Sequence, residues 1–266
     1  MAITVRSTEP EWAEALAWHL EPFRVREPGD RDLGFWLYRP EDEPAVYRYQ
    51  GSEILDWEAL SPALLHALWD IHALVPKASR DFIHLHAGSL ARDGQGVLLP
   101  ATPEAGKSTL TVAMMAAGFA YLSDEIGAID PITGRVYPFP KRVQLDPESL
   151  GFFPRVAERL DDRRGLTGQL LARFVRPEDV GGRYGEPVPA RWVVFLEDDR
   201  TGPPRLEPVS RAAAVERMAE NCSNLYRYGE RGVILLSRVA RGADAFSLAG
   251  GNPEERAELL AERLLP

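Results

Sequence analysis

Residues 98–109 read LLPATPEAGKST, and the parsing of this stretch decides the fold. Its last letters fit the phosphate-binding pattern G-x-x-x-x-G-K-[ST], with Ala101 in place of the first glycine and Gly106 in place of the second. Four letters alone are weak evidence. A phosphate loop must also join a strand to a helix whose N-terminus faces the anion. Val97–Leu99 reads as that strand, preceded by a turn at ARDGQG and by an alternating run FIHLHAGSL over 82–90. LTVAMMAAG, ending at Gly118, reads as the helix. The spacing therefore predicts strand, loop and helix around residues 101–109.

Each loop position has a chemical expectation. Gly106 lets the backbone turn tightly beside a ligand, and Lys107 carries an ammonium to the terminal phosphates. Ser108 offers a hydroxyl to Mg2+, and Thr109 belongs to the first helical turn. Ala101 is tolerable where an extended backbone suffices, whereas Glu104 has to project outward, because an inward carboxylate would repel phosphate. Pro103 stiffens the loop and biases Thr102 toward extended geometry. Together with Ala105, residues 101–109 are the expected nucleotide-binding loop.

A second half of the site follows. Phe119–Leu122 reads as a buried strand, and Ser123-Asp124-Glu125 falls at its C-terminal end, with Asp124 17 residues after Lys107. Strand ends in an α/β sheet gather such groups in one crevice. Two adjacent acids can divide phosphoryl transfer between them, one handling the attacking hydroxyl and the other Mg2+. The expectation is Asp124 for the hydroxyl and Glu125, with Ser108, for the metal. The alternative for the pair is a solvated acidic turn.

His86, the loop ending GKST and the strand ending in acids at 124 and 125 together resemble the C-terminal catalytic domain of the bacterial HPr kinase/phosphorylase family and its related kinases. That family shares a nucleotide-binding architecture with phosphoenolpyruvate carboxykinase. The resemblance is carried by residues 83–145, about a quarter of the chain. It implies an α/β P-loop kinase domain over 81–266 with a small α+β lobe at 1–80, and ATP and Mg2+ as cofactors. It also implies roles for Lys107 and Ser108 at phosphate and metal, for Asp124 in activating a serine-like hydroxyl, and for His86 beside that acid or the phosphate. The family includes kinases of free serine and of serine in peptide precursors, so the implied acceptor is a hydroxyl of a small molecule or peptide. The match is to the wider family: its HPr-specific enzyme has two aspartates where this chain has Asp124 and Glu125, and a more glycine-rich loop.

Elsewhere the sequence speaks mainly of structure. Residues 9–20 predict an amphipathic helix, Phe23–Val25, Phe35–Tyr38 and Ala45–Tyr49 predict a small antiparallel sheet, and Ser61-Pro62 predicts a capped helix start. Asp130-Pro131 and Thr133-Gly134 suggest a hairpin, after which Pro138 and Pro140 present Lys141 and Arg142, read as a phosphate clamp or a solvated basic edge. Arg163 and Arg164 lie in a glycine-rich stretch running to Gly185 that suits a mobile substrate loop or a surface excursion. Arg191–Leu196 and Gly232–Ser237 read as strands, Ser210 as a helix cap, and Asn252-Pro253 with Glu255 as a capping box. His84 and His86 share a strand face without further ligands nearby, which leaves zinc a poor reading.

Composition frames these readings. A 266-residue chain with 45% hydrophobic residues is long enough for a sizeable core, and its net charge of -9 offers no general attraction to nucleic acid or anionic membrane. Cys222 is the only cysteine, so neither an internal disulfide nor a cysteine-cluster metal site is available. No apolar run approaches the roughly 18 residues of a membrane span, and the N-terminus lacks a signal-peptide pattern, so a cytoplasmic location is expected. The C-terminal apolar stripe suits packing on the domain or a homo-oligomer. Two functions fit: an ATP-dependent kinase, or a nucleotide-gated regulatory protein with little turnover.

Overall fold

The computed structural model describes residues 2–24, 32–38, 45–49, 52–57, 60–160 and 173–264. It is mixed α/β, and the chain divides into two compact units. One holds the described residues up to Ser79 together with Leu160, Arg173 and Phe174; the other begins at Arg80 and holds the rest. The first unit thus runs to residue 79 with a short return at 160–174.

In the first unit, β1 (Ala2–Ser7), α1 (Pro10–Leu20), β2 (Asp32–Tyr38), β3 (Ala45–Tyr49), β4 (Ser52–Trp57) and α2 (Leu60–Ala78) follow in order. The sheet runs β1-β2-β3-β4 and is mixed, because β1 pairs parallel to β2 while the remaining pairs are antiparallel. Its core joins Trp12 and Leu16 of α1, Phe35 and Leu37 of β2, and Leu68 and Ile71 of α2. Three expectations change. Glu21–Phe23 is a single 3-10 turn in place of the expected strand, continuing from α1 through Pro22, and Val25 lies outside the described residues. Ser61 lies within α2, which begins at Leu60. The sheet also gains β1 and β4, which local pattern did not reveal.

The second unit is built on an eight-stranded sheet. β5 (Ile83–Arg92) and β6 (Gln95–Pro100) form a hairpin closed by Asp93 and Gly94, both with positive φ (50° and 76°), as a two-residue Asp-Gly turn of this hand requires. α3 (Lys107–Ala116) follows the loop and stops as Gly118 turns left-handed at φ 94°. β7 (Ala120–Ser123), β8 (Ile126–Ile129) and β9 (Arg135–Tyr137) come next, the last two joined through Asp130, whose Oδ1 accepts from the amides of Ile132 and Thr133. The strand Val188–Leu196 runs parallel to β6 and to the strand Asp244–Ala249.

One topological fact positions the site. β6 and β7 both run antiparallel to β5, which separates them, so their C-terminal ends open at the same edge of the sheet. The residues after Pro100 and after Ser123 therefore meet there. The N-terminal half of β5, paired with β8 from Ile83 to His86, reaches the same edge.

The core below one face joins Leu85, Ala87, Leu98, Val193 and Phe195 of the sheet to Met218 and to Leu236 and Val239. Leu236 and Val239 lie on the helix Glu230–Gly242, so the expected strand at 232–237 is helical. Its buried Gly232, Leu236, Val239 and Ala240 follow a helical period. The segment Arg183–Gly185, expected in a mobile loop or a surface excursion, is paired with the sheet: Tyr121 N donates to Arg183 O (2.8 Å) and Gly185 N to Tyr121 O (2.8 Å), laying it along β7. Arg163, Arg164, Gly165 and Gly168 lie outside the described residues. Ser210 caps the helix Arg211–Glu220 through the amide of Ala213, and Asn252 and Glu255 form the expected capping box on the last helix, Pro253–Arg263. Among the described residues no helix is long and apolar enough to cross a membrane.

Candidate active site

The loop from Ala101 to Gly106 takes the shape its composition demands at two points. Glu104 has φ 65° and Gly106 φ 87°, both left-handed, while Ala101 is not in that region. The missing first glycine therefore costs nothing in backbone strain. At position 104 the left-handed backbone would suit glycine, and here a glutamate adopts a conformation that costs an L-residue about 1–2 kcal/mol. Glu104 is exposed, as are Thr102 and Pro103, while Ala101 and Ala105 are buried beneath the loop.

No side chain caps α3 at Gly106, and the first amides of a helix have no intrahelical acceptor. Lys107 folds back over the loop, its Nζ donating to Ala101 O at 2.9 Å and Thr102 O at 2.6 Å. Burial lowers its pKa to about 8, against the opposing pull of Glu125 and Asp124. Among the described residues the ammonium is tethered to carbonyl oxygens. Thr109 hydrogen-bonds Ser149 (3.0 Å) and serves to fix the helix start.

Asp124 joins the two halves. Its Oδ2 accepts from Ser108 Oγ at 2.8 Å, and its Oδ1 accepts from the Tyr121 hydroxyl at 2.9 Å. Lys141 Nζ lies 3.0 Å from Oδ1 and 3.2 Å from Oδ2, and 3.4 Å from Glu125 Oε2. Asp124 is 2% exposed, while the Glu125 side chain is 48% exposed. Burial opposes the Lys141 charge, but the two carboxylates and their hydrogen bonds outweigh it and raise its pKa. Burial and the Asp124 charge push the Tyr121 phenol well above its ordinary value. The acidic turn is shaped by buried Ser123, whose Oγ accepts from the amides of Glu125 (3.2 Å) and Ile126 (3.0 Å).

His86 stands at the same edge, half-buried, opposite Ile126 of β8. Burial and the nearby Lys107 lower its pKa, against Glu125 and Asp124, so it favours the neutral form. His84, two residues earlier, belongs elsewhere: its Nδ1 lies 3.2 Å from Asn224 Nδ2, and burial, aided by Arg227, lowers its pKa to about 4.

The expected residues Lys107, Ser108, Asp124, Glu125 and His86 thus converge. Two more residues join them in roles the sequence did not indicate. Lys141 and Arg142 are buried, neither a solvated edge nor a free clamp, and Lys141 is the counter-charge of both acids. Tyr121 was read only as strand. The signal for Lys141 is tertiary: Phe139 N donates to Leu122 O (2.9 Å), drawing the proline-flanked segment alongside β7.

Among the described residues no group of three His, Cys, Asp or Glu side chains could hold a metal unaided. Mg2+ characteristically takes one or two protein oxygens and completes its shell with water and substrate phosphate. The Ser108 hydroxyl touching the Asp124 carboxylate, with Glu125 beside it, fits that requirement. No family model matches the chain, and no curated protein matches it significantly.

Proposed function

We propose that this protein is an ATP-dependent, Mg2+-dependent kinase that transfers a phosphoryl group to a serine-like hydroxyl of a small molecule or peptide. The observation that carries the reading is the hydrogen bond between Ser108 and Asp124, which links a phosphate loop to an acidic strand end at one sheet edge. The resemblance to HPr-kinase-related enzymes adds to it.

The loop amides and Lys107 would hold the phosphates, and Ser108 and Glu125, adjoining Asp124, would hold Mg2+, which screens phosphate charge when bound. Asp124 would orient the acceptor hydroxyl and take its proton. The hydroxyl oxygen forms the new bond to the γ-phosphorus as the bond to the bridging oxygen breaks, with that electron pair leaving on ADP. Lys141 holds the Asp124 carboxylate in place through both oxygens, and neutral His86 can hydrogen-bond phosphate or acceptor without adding charge. The sheet edge fixes these groups on strand ends and a helix start, so little reorganisation accompanies the reaction.

A second reading, a nucleotide-gated regulatory protein, draws on the enclosure of Asp124, whose oxygens are already engaged by Ser108, Tyr121 and Lys141. Purified protein incubated with γ-labelled ATP, Mg2+ and pools of free hydroxy amino acids and peptides separates the two. The kinase reading expects labelled acceptor, lost in Lys107→Ala and Asp124→Asn. ATP binding without labelling in any pool supports the regulatory reading, and absence of nucleotide binding overturns both.

A further inference from the structure

Arg200 lies 96 residues beyond Glu104 in sequence yet against it in space: its Nη2 donates to Glu104 O at 3.3 Å. The same nitrogen is 3.5 Å from where a side chain on Gly106 would begin. One guanidinium therefore bonds one left-handed residue of the loop and borders the space beside the other. Among the described residues it has no carboxylate partner, since the adjacent Asp199 is committed to Thr201 N (2.9 Å) and Arg205 Nη2 (2.7 Å).

The connection that presents Arg200 is itself braced. Asp199 O accepts from Gly250 N (2.7 Å) and from Arg256 Nη2 (3.0 Å), and Gly202 O accepts from Gly251 N (2.8 Å). Arg256 is buried and also donates through Nε to Gly250 O at 2.6 Å. A side chain at Gly250 would meet Pro203 O at 2.2 Å, so the close approach depends on glycine.

We infer that Arg200 is a positioning residue that holds this glycine-poor loop in its phosphate-receiving shape. A glycine at 104 would adopt φ 65° without strain; glutamate does not, and the hydrogen bond to its carbonyl offsets the difference from outside the loop. The inference rests on the nucleotide-binding reading for its purpose, but its physical content is a coupling between two residues in the free protein.

That coupling is measurable by a double-mutant cycle of Arg200→Met and Glu104→Gly, with Arg200→Lys as the conservative variant. The first readout is hydrogen exchange, in nucleotide-free protein, of the amides of Ala105 and Leu110, which donate to Thr102 O and Gly106 O. Arg200→Met is expected to speed it roughly fivefold, the worth of one hydrogen bond. The acceleration should persist in the Glu104→Gly background, because the accepting carbonyl belongs to the backbone, and Arg200→Lys should restore most of the protection. Unchanged exchange in Arg200→Met overturns the inference. The second readout is affinity for ATP by calorimetry, expected to fall with Arg200→Met by a similar factor and to recover in the double variant. An equal loss in both backgrounds would make Arg200 a direct phosphate ligand and overturn the inference. Faster exchange in Arg200→Met, in a protein that binds no ATP, would leave the positioning role standing and remove the nucleotide reading instead.

Discussion

Ser108 Oγ and Asp124 Oδ2 meet at 2.8 Å, joining the first turn of α3 to the end of β7 across the intervening strand β5. Both side chains are oxygen donors suited to a hard cation, and neither needs a large shift to serve one. Removing the hydroxyl should therefore affect metal-assisted binding more than folding. Ser108→Ala is expected to cost about 2 kcal/mol of stability, as a hydrogen bond to a charged group does. It should also abolish the gain in ATP affinity brought by Mg2+. Calorimetric titration with and without Mg2+ checks this; an unchanged Mg2+ increment would remove Ser108 from the metal's surroundings.

Lys141 and Asp124 form a buried ion pair, 3.0 Å apart and nearly without solvent. Taking away one partner leaves the other charge uncompensated, at a cost of about 3–5 kcal/mol. Lys141→Met is expected to unfold at correspondingly lower urea. Combined with Asp124→Asn it should recover much of that loss, because the double variant leaves neither member of the pair as an unpaired charge. Additive losses in the cycle would show that the two charges do not depend on one another.

The elements legible in the sequence are those whose signals are local. Asp93-Gly94 announces its hairpin, Gly106 its loop, and Asn252 with Glu255 its helix start, because each acts on backbone within a few residues. The helix Glu230–Gly242 was illegible for the converse reason. Its centre GVILLS is a short apolar run that suits a buried strand equally well, and only the 13-residue span exposes a helical period. Lys107, Ser108, Asp124 and Glu125 could be named from motif and spacing. Lys141, Tyr121 and Arg200 could not, since their roles arise from contacts made by folding. Arg200 reaches the loop only because Gly250 admits the backbone of Pro203 so closely.

His84 supplies a pH prediction away from the phosphate loop. Its pKa falls from 6.5 to about 4 through burial, then through Arg227. Between those values the unfolded chain binds a proton that the folded one does not, so stability falls as pH drops from 6.5 toward 4. At 1.36 kcal/mol per unit the full contribution is about 3 kcal/mol. Urea denaturation at pH 7 and pH 4.5 should show His84→Gln losing less stability on acidification than wild type, by roughly 2–3 kcal/mol. Parallel losses in the two proteins would mean His84 titrates normally in the fold.

Gly106 and Gly250 are both left-handed, at φ 87° and 72°, yet alanine at each should do different damage. At Gly106 the nearest atom to a new Cβ is Arg200 Nη2 at 3.5 Å, an ordinary contact, so the cost is the backbone strain of about 1–2 kcal/mol. At Gly250 the Cβ would sit 2.2 Å from Pro203 O, adding a steric conflict with rigid backbone and a total of about 2–5 kcal/mol. Gly250→Ala is therefore expected to lower the melting temperature more. For ATP affinity the order should reverse, because Gly106 adjoins Lys107 while Gly250 acts only through the connection bearing Arg200. Thermal unfolding paired with calorimetry of both variants checks this. If Gly106→Ala bound ATP as well as wild type, the left-handed turn before α3 would not be what receives phosphate.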